Sequence, residues 1–166
     1  KNQIKDVTGF FSLIHIKNHK KGVRTTLVNI LNNKYKHIEN IDEKSFFFGQ
    51  KAPLKIKRMK DTKNIAGYPC KKAMISYPTK QGKNMNFSVY YTDQIGIKGF
   101  TQNTPFEDIH GVLMDFQLEI YQIPMKLIAT EVKQEEIPPE TFKVPNGYKK
   151  VNKKAMKEII ELLKER

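Results

Sequence analysis

Residues Val112 to Tyr121 alternate along most of their length. Val112, Met114, Phe116, Leu118 and Ile120 share one parity, and Asp115, Gln117 and Glu119 the other. A period of two over this length matches the pleat of a strand with one buried face, and it does not match the 3.6-residue turn of a helix. Such a strand needs antiparallel neighbours with the same apolar face. The chain is therefore expected to be mainly β.

Other segments repeat the pattern. Phe10 to Lys17 and Val23 to Leu31 read as strands, the second with open register because Thr25, Thr26 and Asn29 put polar groups on both faces. Tyr35 to Glu39, Ser45 to Phe48 and Leu54 to Met59 read as shorter strands, separated by turns at Asn32-Asn33, Asp42-Glu43 and Lys51-Ala52-Pro53. Tyr68 to Tyr77 ends at Pro78, and a Gln81-Gly82-Lys83 turn leads into Met85 to Thr92. There Met85, Phe87, Val89 and Tyr91 oppose Asn86, Ser88 and Tyr90. Ile123 to Val132 should pair with the strand before it, with Pro124 placing that pairing near an edge.

Gly96 to His110 reads as a long loop and Pro138-Pro139 as a rigid linker. Asn152 is placed to cap a helix from Lys153 to Glu165, whose Ala155/Met156, Ile159/Ile160 and Leu162/Leu163 pairs form one apolar stripe. The expected architecture is α+β: a single domain over 1–166, with a curved antiparallel sheet or half barrel over 7–150 and a C-terminal amphipathic helix over 152–165.

Composition removes several classes of function. No apolar run approaches the roughly 20 residues of a membrane helix, and mean hydropathy is −0.58. The first residues, Lys1 to Asp6, lack both an initiator Met and an apolar leader core, which fits a trimmed, mature product. One cysteine excludes an intramolecular disulfide. Residues 1–83 carry 19 Lys/Arg against 5 Asp/Glu, a balance that attracts phosphate-rich partners or simply covers a solvated face.

No residue is assigned a catalytic, metal-binding or cofactor-binding role. Glu107, Asp108 and His110 are close in sequence, but acid–base work needs convergence at about 3 Å, and a turn accounts for them equally well. His15 and His19, four apart on a strand, would stand about 13 Å from each other, too far to share an ion. Cys70 has Lys71 and Lys72 beside it but no partnering histidine, and it reads as a small core residue. Lys55 and Lys57 would form a solvated ladder opposite Leu54 and Ile56, with no nucleic-acid signature beside it.

Several phrases, in order, carry a resemblance: Asp61 to Ala73, Tyr90-Tyr91-Thr92-Asp93, Ile109 to Phe116, Ala129-Thr130-Glu131-Val132, and Phe142 to Tyr148. Together they resemble an exported bacterial family of unknown function similar to the outer-membrane lipoprotein carrier (LolA/LolB-like) superfamily, over roughly residues 61–151. The resemblance implies a half barrel whose concave apolar face is lidded by helix and loop. It also implies a Gram-negative periplasmic location, or one on the periplasmic face of the outer membrane, and in the carrier branch a bound acyl chain. The chain departs from that pattern in lacking the carriers' N-terminal helix and a lipobox cysteine.

The sequence thus leads to a non-enzymatic envelope protein holding an apolar or lipid-like ligand on Phe87, Val89, Tyr91, Met114, Phe116 and Leu118. Gly96 to His110 would act as lid, and Lys55, Lys57 and Arg58 would meet an anionic headgroup. The alternative is a structural protein docking another envelope component through its sheet edge or basic face, with nucleic-acid binding a distant third.

Overall fold

The computed structural model describes residues 2–5, 11–43, 54–78, 84–120 and 123–161. The expected strand Ser45 to Phe48, the turns at 51–53 and 81–83 and the last helical residues lie outside these. Ten strands are described: β1 Asn2–Lys5, β2 Phe11–Asn18, β3 Val23–Ile30, β4 Asn33–Asn40, β5 Lys55–Ile65, β6 Tyr68–Pro78, β7 Asn84–Thr92, β8 Val112–Ile120, β9 Ile123–Ile128 and β10 Lys149–Lys150. A 3-10 turn covers Pro139–Phe142, and helix α1 covers Lys153–Glu161.

The mainly β expectation holds, but one continuous curved sheet does not. The strands form two five-stranded sheets, ordered β1-β2-β3-β4-β10 and β5-β6-β7-β8-β9. They belong to two compact units, one built from residues 1–44 and 135–166 and the other from 45–134.

In the first unit β1 to β4 form an antiparallel meander, and β10 adds to β4 in parallel through Tyr35 and Lys36. The β3–β4 hairpin turns on Leu31 and Asn32, both with positive φ (49° and 67°), and pairs Ile30 with Asn33. Two central residues with positive φ match the right-handed twist of the flanking strands. Ile14, Ile16 and Leu27 form an apolar cluster packed by Val144 and Tyr148, from the segment leading to β10. Asn152 Oδ1 accepts the Ala155 N–H (2.9 Å), so the cap read from the sequence is made, and Met156 and Ile160 are the stripe residues that α1 buries.

In the second unit all five strands are antiparallel neighbours in chain order. Ala66 and Gly67 (φ 49° and 84°) turn β5 into β6, and Gly67 supplies a conformation that side-chain-bearing residues rarely adopt. Pro124 lies on β9, an edge strand, where a missing N–H costs least. Ala73, Ile75, Val89 and Tyr91 are buried on one face of this sheet.

The alternation of β8 is not continuous. Tyr90 pairs with Asp115 but Tyr91 pairs with Leu113, so a β-bulge places Met114 as an extra residue. Leu113 and Phe116 join the cluster of Val89 and Tyr91, whereas Met114 joins a second cluster with Ile65 and Cys70. The single apolar face expected through Met114 and Phe116 is therefore divided between two clusters.

Candidate functional site

The ligand-binding residues read from the sequence separate accordingly. Phe87, Val89, Tyr91 and Phe116 share one cluster; Met114 is buried in the other. Leu118 sits in β8 opposite Met125, and its side chain lies outside the described residues.

The shared face is covered by the chain's own loop, here residues 95–110. Phe106 and Ile109 are buried against Val89 and Tyr91, with Phe100 partly buried beside them. The loop's turns are closed by short-range hydrogen bonds, among them Ile109 N–H to the Phe106 carbonyl (2.9 Å) and Thr101 Oγ1 to the Ile109 carbonyl (2.8 Å). Gly111 ends it against the sheet: with φ at 151°, a Cβ there would lie 2.6 Å from the Thr92 carbonyl oxygen.

Four aromatic rings run edge to face across this surface. Tyr77 to Phe87 is 6.1 Å between centroids, Phe87 to Phe106 is 6.5 Å and Phe106 to Phe116 is 5.9 Å. The loop ring of Phe106 thus stands between two sheet rings, Phe87 and Phe116, that stay partly exposed. The sequence pointed to the loop as a lid; it did not mark Phe106 as the residue filling the face.

The three basic residues divide as well. Ile56 packs on the loop-covered face, so the exposed Lys55 and Lys57 of the same strand stand on the other. Arg58, opposite Ala73, is on the loop side, and its Nη2 donates to the Asp108 carbonyl (2.9 Å). Glu107, Asp108 and His110 are exposed. Cys70 is fully buried; its Sγ–H reaches the Tyr68 carbonyl (3.3 Å), and burial pushes the thiol upward, away from a reactive thiolate.

A polar cluster that the sequence reading missed lies in the first unit. Arg24 Nε donates to Glu39 Oε1 (2.6 Å), with the two side chains only 2% and 3% exposed, and Arg24 Nη2 donates to the Glu43 carbonyl (2.7 Å). Two pairs further along the same strands Thr26 is opposite both His15 and His37. His15 Nδ1 is 3.4 Å from Thr26 Oγ1, and His37 Nδ1 is 3.1 Å from the Val151 carbonyl. Desolvation first, then the charges of Arg24 and Lys17, push His15 down to about 3, so it is neutral at pH 7. An open depression of about 570 Å³ beside this cluster is lined by residues including His37, Glu39, Glu43 and Lys153. Among the described residues no three His, Cys, Asp or Glu side chains are grouped to hold a metal ion.

No family model, no curated protein and no solved structure matches the chain.

Proposed function

We propose that the chain is a non-catalytic binding protein of the Gram-negative envelope that takes an apolar chain, such as an acyl group, onto the loop-covered face of its second sheet. This is the carrier role that residues 61–151 resemble. The observation supporting it is the aromatic row, in which a loop ring occupies the slot between two sheet rings. An acyl chain would displace Phe106 and lie between Phe87 and Phe116 over Val89 and Tyr91. Arg58, tied to the loop and standing on this side, is the cation placed to meet the ligand's anionic end.

The geometry sets a magnitude. Displacing Phe106 forfeits two edge-to-face pairs, each worth about 0.5–1.5 kcal/mol. Removing that ring in advance should therefore tighten acyl binding about tenfold. Native mass spectrometry of the full chain with hexadecanoate tests this: one acyl chain per protein is expected, held more tightly by Phe106→Ala. A Phe106→Ala protein that folds yet retains no acyl chain, like the parent, overturns the proposal.

A further inference from the structure

The face of the second sheet turned away from the loop carries a second, different surface. Lys57 pairs with Met74, which pairs with Ser88. Gln117 pairs with Lys126, and the Tyr90–Asp115 pair puts Ser88 and Gln117 opposite each other two residues on. One row therefore crosses all five strands with a lysine at each end, spanning roughly 19 Å at about 4.8 Å per strand. Lys55, Ser76 and Asn86 begin the next row. Lys55, Lys57, Asn86, Gln117 and Lys126 are all exposed.

Among the described side chains the carboxylates of this face are engaged, Asp61 with Lys72 (3.4 Å) and Asp115 with Lys63 (3.7 Å), while the row from Lys55 reaches Glu119 on β8. Lys55, Lys57 and Lys126 are left as excess positive charge around short hydroxyl and amide side chains. Tyr90 already has the Lys63 ammonium 5.4 Å from its ring centroid. Single-stranded nucleic acid asks for open stacking platforms and a membrane surface for apolar anchors. Among the described side chains the rows from Lys55 and Lys57 to Lys126 offer no open ring, and as apolar side chains only the partly buried Met74 and, beside Lys126 at the edge, the exposed Ile128. They present cations and neutral hydrogen-bonding groups, the complement of a chain that alternates carboxylates or sulfates with hydroxyls.

We propose that this face binds an acidic polysaccharide laid across the strands from Lys57 to Lys126. The surface lies opposite the apolar slot and does not depend on that reading. The test uses the full chain and heparin as probe, comparing Lys57→Glu/Lys126→Glu with Lys20→Glu/Lys34→Glu, which makes the same charge change at exposed sites of the first unit. The first pair should bind at least about tenfold more weakly, with a salt slope lowered by about two, while the second pair stays within about twofold of the parent. Asn86→Ala/Gln117→Ala should weaken binding at unchanged salt slope. Equal losses in the two charge-reversed proteins overturn the proposal. So does binding of anionic vesicles or a single-stranded oligonucleotide as tight as heparin at the same ionic strength.

Discussion

Replacing His15 by Gln should flatten the acid sensitivity of the first unit. His15 takes a proton at 6.5 in the unfolded chain and only at about 3 when folded. The folded value is depressed, so the contribution to stability is present above pH 6.5 and is lost as pH falls towards 3. Linkage puts the loss at about 2 kcal/mol between pH 7 and pH 5 and about 3 kcal/mol between pH 7 and pH 4. The pH 5 figure hardly depends on the folded value, because at that pH nearly all the titration is in the unfolded chain. Urea unfolding followed by circular dichroism at pH 7 and pH 5 measures it. The His15→Gln protein starts less stable, since Gln does not reproduce the imidazole's packing, but its change between the two pH values should be smaller than the parent's by about 2 kcal/mol. An equal pH dependence in His15→Gln and the parent would refute the burial argument.

Two further substitutions probe the sheets directly. Glu39→Gln leaves the Arg24 guanidinium, 2% exposed, without its counter-charge; a loss of about 3–5 kcal/mol is expected, read as a melting temperature lower by roughly 10 °C, with Arg24→Leu/Glu39→Leu recovering most of it. Gly111→Ala drives a Cβ to 2.6 Å from the Thr92 carbonyl; a cost of about 1–3 kcal/mol in urea unfolding is expected, whereas a neutral Gly111→Ala would mean that the β7–β8 junction is looser than described.

Strand identity was legible wherever parity was clean, as in β7, where Phe87, Val89 and Tyr91 do share a face. Parity alone could not reveal the bulge in β8. Met114 to Ile120 alternates as text, with Leu113 an apolar residue out of phase before it, and pairing with β7 inserts Met114 and moves it to the far cluster. Register was lost more simply in the first unit. A turn at Asn32-Asn33 would set Arg24 against Ile41, whereas the turn at Leu31-Asn32 sets it against Glu39. One residue in the turn decided whether a buried ion pair could be seen, and a leucine with positive φ is a weak turn signal. The loop's role depended on tertiary contact: nothing local distinguishes Phe106, which packs between sheet rings, from a phenylalanine exposed on a loop. The separation of Lys55 and Lys57 from the apolar face did follow from parity.

The proposed displacement of the loop by an acyl chain is most directly tested by hydrogen exchange of the full chain with and without hexadecanoate. If the ligand takes the place of Phe106, amides of residues 99–109 exchange faster in the complex while those of β6 and β7 become slower. Binding that leaves the loop amides equally or better protected would place the ligand elsewhere and contradict the account.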